Sequence, residues 1–232
     1  RAWRERQWRP ALAGLLVWLV GLPTGRQLFG TPLADLSVPA ALFVALMACW
    51  LGFSLAAERA PWRLVEIVVA SVLGVAGGLL FAVWNASYAT VSGPLSAVPA
   101  VALLGGVWLL PGVLGGLVIR RPGAATYVEL VAATVSALIG SQWGFSVVWY
   151  GLIEGLGAEV VLAVLLYRRF GLPTAMLAGA VAGAAISLCD LALSYPTVTA
   201  GWKLAYVLCL AVSGAGIAGA GSWALTRALA AT

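Results

Sequence analysis

Three acidic residues interrupt apolar stretches of the sequence and are its first candidates for chemistry. Glu154, Glu159 and Asp190 each lie in a run of residues that is otherwise almost free of charge. If these runs cross a membrane, an unpaired carboxylate there is costly, so each is a functional candidate by default. Carboxylates attract cations and accept hydrogen bonds from amino groups. The three residues therefore predict a site for a positively charged or amino-bearing solute.

Aromatic and amide side chains are expected near the same end of the predicted helices. These residues are Trp84, Asn85, Tyr88, Gln142, Trp143 and Tyr150. Aromatic rings stack on flat solutes and attract cations by about 0.5–2 kcal/mol per contact. We predict that the six residues form a substrate site together with Glu154, Glu159 and Asp190. An alternative interpretation for the tryptophans and tyrosines is a belt of aromatic residues at the membrane surface.

Other chemistries find little support in the residue types. The sequence contains no His, which removes His-based metal sites and catalytic triads. Cys49, Cys189 and Cys209 stand singly, without the paired spacing of a zinc site. No GxxxxGKS or GxxxxGKT phosphate loop occurs, so ATP chemistry would come from partner proteins. We therefore predict a protein that is not an enzyme and that holds no metal or cofactor.

The composition is that of a polytopic membrane protein. Hydrophobic residues make up 62% of the 232 residues and charged residues only 9%, against about 45–50% and about 25% in soluble domains. A membrane helix needs about 20 mostly apolar residues. Eight apolar segments are predicted at residues 10–23, 37–57, 64–84, 98–119, 122–140, 147–167, 172–192 and 203–226.

The basic residues predict the orientation of these segments. In the eight-span arrangement Arg26 and Lys203 fall on one side, and the other 11 of the 13 basic residues fall on the opposite side. Basic residues accumulate on the cytoplasmic side of membrane proteins. We therefore predict a multi-pass protein of the cytoplasmic membrane with both termini in the cytoplasm, and with the aromatic loops outside.

Small residues recur every fourth position on the segment that begins near residue 64. Ala70, Gly74 and Gly78 would lie on one face of a helix. Small residues let membrane helices approach closely. Two interpretations remain open at this point, packing within the chain and docking against another membrane subunit.

Several short motifs, in order, resemble those of one transporter family. They are Trp84-Asn85, Arg120-Arg121-Pro122-Gly123-Ala124-Ala125 with Glu129-Leu130, Gly140-Ser141-Gln142-Trp143-Gly144, Glu154-Gly155-Leu156-Gly157-Ala158-Glu159 and Tyr167-Arg168-Arg169-Phe170. The sequence over residues 62–232 resembles the YkoE-type S components. These are the substrate-binding membrane subunits of energy-coupling factor (ECF) transporters for thiamine or its hydroxymethylpyrimidine precursor.

The resemblance implies an all-α fold with a six-helix S-component core at residues 61–232. Residues 1–60 would form an N-terminal extension with two apparent membrane helices. It further implies capture of the vitamin from outside, followed by ATP-driven uptake through a transmembrane coupling subunit and two ATPase subunits. Ala70, Gly74 and Gly78 would contact the coupling subunit, as small-residue stripes on the first core helix do in similar proteins.

A different class of function remains as the alternative. The chain would then be a stand-alone secondary carrier that uses its membrane carboxylates to couple transport to ions or protons. The sequence shows no convincing internal repeat of the kind found in many such carriers. The two hypotheses differ in whether uptake requires ATPase partners.

Overall fold

The computed structural model describes residues 62–231. Within this range the chain is helical and contains no β-strand. The α-helices are α1 (Leu64–Ser92), α2 (Leu110–Ile119), α3 (Ala124–Ile139), α4 (Ser146–Val164), α5 (Leu172–Leu193), α6 (Ala200–Ser213) and α7 (Gly221–Leu229). Short 3-10 helices at Gly93–Leu95 and Pro99–Val107 precede α2, and a π-helix at Gly214–Ala220 joins α6 to α7. The predicted all-α fold is confirmed, whereas the predicted N-terminal extension lies outside the described residues.

The described helices match the six predicted core segments, of which five are long and apolar enough to cross a membrane. These five are Leu64–Leu95, Pro99–Ile119, Ser146–Val164, Leu172–Leu193 and Ala200–Leu229. The sixth, α3, is apolar but has only 16 residues, fewer than the about 20 that a lipid-facing span needs. It packs against α1, α2 and α4, so protein rather than lipid covers much of its length. The predicted six-helix core is thereby confirmed.

Two of the membrane segments are not continuous α-helices. The segment predicted at 98–119 begins as the 3-10 helix Pro99–Val107 and becomes α-helical only at Leu110. The Ser213 hydroxyl group donates a hydrogen bond to the Leu103 carbonyl oxygen (2.5 Å) and accepts one from the Gly106 N–H (3.1 Å). The π-helix follows directly after Ser213. The irregular backbone of both segments therefore meets inside the bundle, where protein groups can satisfy it.

The glycine stripe on α1 is buried against α3, as the packing interpretation expects. Ala70 is fully buried, and Gly74 and Gly78 are also buried. A Cβ atom on Gly74 would lie only 2.6 Å from the Val131 Cβ atom. Since real Cβ contacts are longer than this, only glycine permits such an approach. Ala70, Gly74 and Gly78 therefore serve packing within the chain, and their docking against a coupling subunit stays a prediction.

Basic side chains gather at the end of the bundle where α1 begins. The Arg121 guanidinium group pairs with the Glu66 carboxylate (2.7 Å), and Arg63 contacts the same carboxylate at 3.2 Å. The Arg63 N–H also donates to Glu66 (2.8 Å), which closes the first turn of α1. Arg168 and Arg169 follow α4 at the same end. We call this the basic end and the opposite one the aromatic end.

Candidate functional site

A cavity of about 310 Å³ lies at the aromatic end of the bundle. It forms where the second half of α1, the 3-10 helix, the end of α3, the start of α4, the end of α5 and α6 converge. Its lining residues are Phe81, Asn85, Tyr88, Val101, Ala102, Gly105, Trp108, Ala133, Ser136, Trp143, Ser146, Val147, Tyr150, Glu154, Ile186, Asp190, Ser194, Tyr195, Tyr206 and Leu210. The lining contains no lysine or arginine, so its only formal charges are those of its carboxyl groups.

Aromatic rings form one wall of this cavity. The Trp108 ring packs edge-to-face against Tyr88 (4.8 Å between centroids) and against Trp143 (5.6 Å). Tyr88 and Trp143 also contact each other, at 5.7 Å. Edge-to-face aromatic pairs of this kind are worth about 0.5–1.5 kcal/mol beyond the burial of their area. The three rings therefore stabilise one another as a fixed aromatic surface.

A second aromatic group comes from the α5–α6 connection and α6. Tyr195 lies 4.8 Å from Trp202 and 5.3 Å from Tyr206, centroid to centroid. The Trp202 and Tyr206 rings stack at 5.2 Å with an angle of 16° between their planes. Tyr195 and Tyr206 line the cavity, whereas Trp202 supports them. The cavity thus contains ring faces from two separate parts of the chain.

The two carboxyl groups in the cavity have different surroundings. Asp190 accepts a hydrogen bond from the Tyr206 hydroxyl group (2.8 Å) and is also close to the Tyr150 hydroxyl group. Glu154 accepts no hydrogen bond from any described residue, although its side chain is only 8% exposed. A buried carboxylate without a partner is costly. Glu154 is therefore the lining residue with the greatest unmet capacity to accept hydrogen bonds.

Glu129 lies behind the cavity and is fully buried. Its Oε2 atom accepts a hydrogen bond from the Gly112 N–H at 2.6 Å, and no described residue donates to its Oε1 atom. A Cβ atom on Gly155 would lie 3.1 Å from the Glu129 Cβ atom. The structure thus gives Glu129 a hydrogen bond from the backbone of α2.

Six of the nine predicted site residues line the cavity. They are Asn85, Tyr88, Trp143, Tyr150, Glu154 and Asp190. Trp84 and Gln142 do not line it. The Trp84 ring instead packs edge-on against Trp108, with 6.2 Å between the centroids. The structure therefore brings most of the predicted site together and leaves Trp84 in a supporting position.

Glu159 is the third predicted residue outside the cavity. Its Oε1 atom accepts hydrogen bonds from the Gly123 N–H (2.7 Å) and from the Tyr167 hydroxyl group (2.6 Å). Its Oε2 atom accepts from the N–H groups of Ala125 (3.0 Å) and Thr126 (3.2 Å). These N–H groups belong to the start of α3, where a helix leaves its donors unpaired. Glu159 thus caps a neighbouring helix at the basic end and does not line the cavity.

Trp108, Tyr195 and Tyr206 are among the lining residues that the sequence analysis did not predict. Trp108 lay within the apolar segment predicted at residues 98–119, for which the sequence named no site residue. Tyr195 and Tyr206 lie in and after an outer connection that was recognised as aromatic without any individual role. The sequence separation of Tyr206 and Asp190 did not predict their contact, because the two residues meet only through the packing of α5 against α6.

The fold and the cavity define a class, that of polytopic α-helical membrane proteins with a solute-sized site at one end of the bundle. Residues 65–185 match the model of a family described as the permease component of an ABC-type cobalt transport system. The chain is 34% identical over 175 residues to a protein of Bacillus subtilis (strain 168) named "Putative HMP/thiamine permease protein YkoE", covering 74% of this chain and 86% of that relative. It is also similar to a solved S component of an ECF transporter, with 31% identity and a TM-score of 0.70 over 73% of this chain and 86% of that structure.

The chain belongs to this family of transport permeases and is an S component of an ECF transporter. The predicted resemblance is confirmed. Membership also establishes a membrane setting and the existence of energy-coupling partner subunits, and it places the chain among transporter components rather than in a catalytic family.

Proposed function

We propose that this chain captures thiamine or its hydroxymethylpyrimidine precursor in the cavity, for ATP-driven uptake by partner subunits. The observation that carries the proposal is the hydrogen-bond-free carboxyl group of Glu154 among aromatic rings, in a lining without basic side chains. An aminopyrimidine is flat and bears an exocyclic amino group, and thiamine adds a positively charged ring. The name of the Bacillus relative points to the same class of solute.

Each chemical feature of such a solute has a counterpart in the lining. The ring faces of Trp108, Tyr88 and Tyr195 suit stacking and cation–π contact. Glu154 suits an amino group or a positive charge. Asp190, already held by Tyr206, supplies a second negative charge in a fixed direction. The absence of lysine and arginine from the lining favours cations over anions.

The word cobalt in the family description fits this cavity less well. Cobalt(II) and similar ions are suited by imidazole and thiolate ligands, and the sequence contains no His. Within residues 62–231 no group of three or more metal-binding side chains occurs. The lining therefore supports an organic solute as the cargo.

The Glu154→Gln variant tests this proposal. Losing one partner of a buried charge pair costs about 3 kcal/mol or more, so the affinity for thiamine should fall about a hundredfold. Titration calorimetry of the purified protein in detergent measures it. The matched control is Glu66→Gln, which makes the same chemical change at the basic end and should bind like the wild type. Wild-type affinity of Glu154→Gln for both thiamine and hydroxymethylpyrimidine would exclude Glu154 from the site.

The partner subunits are tested by uptake into liposomes. We propose one transmembrane coupling subunit and two ATPase subunits, because the chain itself has no phosphate loop for ATP. Labelled thiamine should accumulate only when the partners and ATP are present. Accumulation by this chain alone, driven by an ion or proton gradient, would instead establish the stand-alone carrier.

A further inference from the structure

The Trp108 ring reaches the cavity from the irregular segment that precedes α2. Val101, Ala102, Gly105 and Trp108 of this segment all line the cavity. Trp108 directly follows the 3-10 helix Pro99–Val107, and α2 begins two residues later, at Leu110. The orientation of its ring therefore depends on the side chains that surround it.

Two hydrogen bonds then fix the Trp108 ring. The Trp108 indole N–H donates to the Asn85 Oδ1 atom at 2.9 Å. The Asn85 Nδ2 group donates to the Ser136 Oγ atom at 3.2 Å. An indole nitrogen can only donate, so the oxygen of the Asn85 amide must face it and the amide nitrogen must face Ser136. Three separate segments, the 3-10 helix, α1 and α3, are thereby joined in one chain of hydrogen bonds.

Each end of the Asn85 amide is thus engaged with protein. Ser136, at the far end of the chain, is only 3% exposed. The Trp108 ring is held in addition by Tyr88 and Trp143, with interplanar angles of 63° and 82°. Asn85 would therefore affect a bound solute through the Trp108 ring that it orients.

We propose that Asn85 is a positioning residue that fixes the Trp108 ring as the stacking surface for the solute, rather than a residue that binds the solute itself. This inference rests on the proposed function for its binding consequences. The structural half of the inference, that the orientation of the Trp108 ring depends on Asn85, can be tested without any ligand. The inference also refines the sequence-based expectation that Asn85 belongs to the substrate site.

A double-mutant cycle tests the binding consequence with thiamine as the probe. Asn85→Leu removes both hydrogen bonds at similar volume, and Trp108→Phe removes the indole N–H but keeps a ring. Each single change should weaken thiamine binding about tenfold. If Asn85 acts through Trp108, the double variant should bind about as weakly as the weaker single variant. If the loss of affinity in the double variant equals the product of the two single losses, Asn85 and Trp108 act independently. That result would show that Asn85 contacts the solute directly, and it would overturn the proposal.

Near-ultraviolet circular dichroism without ligand tests the structural half. Asn85→Leu should change the tryptophan bands in the wild-type background, and the same change should be absent in the Trp108→Phe background. Trp149→Phe is the matched control, because Trp149 is 69% exposed and lies outside the lining; Asn85→Leu should still change the bands in that background. Bands unaffected by Asn85→Leu in the wild type would overturn the proposal.

A further variant keeps the test decisive if Asn85→Leu does not fold. Asn85→Asp retains an oxygen that can accept from the Trp108 indole, so it should preserve the tryptophan bands of the wild type. Loss of those bands in a folded Asn85→Asp protein would contradict the proposed role of the Asn85 oxygen. If the wild type itself did not bind thiamine, the proposed function would fail, whereas the dichroism experiment would still decide the role of Asn85.

Discussion

Glu154 and Glu159 lie on the same helix, five residues apart in sequence, and have opposite surroundings. Glu154 faces the cavity and accepts no hydrogen bond from the described residues. Glu159 accepts four, three of them from the backbone at the start of α3 and one from Tyr167. The sequence predicted both as membrane carboxylates, because hydropathy shows only that a charged residue lies within an apolar stretch. Their partners come from other helices and become visible only in the folded chain.

Removing the Glu159 carboxylate should destabilise the protein without a direct effect on solute binding. In Glu159→Ala the buried N–H group of Ala125 and the partly buried N–H groups of Gly123 and Thr126 lose their acceptor, at a cost of about 2 kcal/mol or more. The midpoint of thermal unfolding in detergent should fall, whereas the fraction that remains folded should bind thiamine like the wild type. A large loss of affinity in fully folded Glu159→Ala protein would return Glu159 to the binding site.

The position of Trp108 in the cavity is a second feature that the sequence did not predict. In a segment where nearly every residue is apolar, hydropathy has no period that reports the winding of the helix. The sequence predicted residues 98–119 only as one apolar segment, and within it nothing distinguished Trp108 as a lining residue. Proline at the first position and a glycine pair in the middle were the available hints of irregular winding.

At the scale of helices, the contact between α1 and α3 depends on the absence of side chains at Gly74 and Gly78. Gly74→Leu should push the two helices apart and greatly reduce the yield of folded protein. Ala76→Leu is the matched control, because Ala76 is exposed on the same helix and should tolerate the larger side chain. Gel filtration and thermal unfolding of both variants provide the measurement. A stable Gly74→Leu protein that binds thiamine normally but fails in energised uptake would restore the docking interpretation.

Ser213 connects the two irregular segments of the bundle. Ser213→Ala leaves the Gly106 N–H without its acceptor and removes the hydrogen bond to the Leu103 carbonyl group, which should cost about 1–3 kcal/mol. Ser87→Ala provides the comparison, since the Ser87 hydroxyl group is exposed and bonds only within its own helix. Thermal unfolding should separate the two variants clearly. Equal stability would mean that the 3-10 helix does not depend on Ser213.

Hydropathy located the six apolar core segments within residues 62–231, although it did not show that the fourth-to-last of them, α3, is shorter than a membrane span. It could not predict their internal geometry. The change from 3-10 to α at Leu110 and the π-helix after Ser213 are set by contacts between helices, including the hydrogen bonds of Ser213. The stripe of small residues was a valid signal for close approach, but a single sequence does not say which helix approaches. The structure identifies that helix as α3.

At the scale of the whole molecule, the predicted orientation puts the cavity outside and the basic end in the cytoplasm. Cysteines introduced at Ser96 and Thr197, both exposed at the aromatic end, should react with an impermeant thiol reagent in intact cells. A cysteine at Arg169, exposed at the basic end, should react only after permeabilisation. The three native cysteines are replaced by alanine in all variants. The reverse pattern of labelling would invert the topology.

The size of the cavity has a consequence for the heat of binding. A space of about 310 Å³ has room for on the order of ten water molecules. A solute that fills it must displace this hydration from the faces of Tyr88, Trp108 and Tyr195. Desolvation of such apolar surface gives a negative change in heat capacity. Calorimetry of thiamine binding at several temperatures should therefore show an enthalpy that becomes more favourable on warming, and a smaller slope when Trp108 is replaced by alanine.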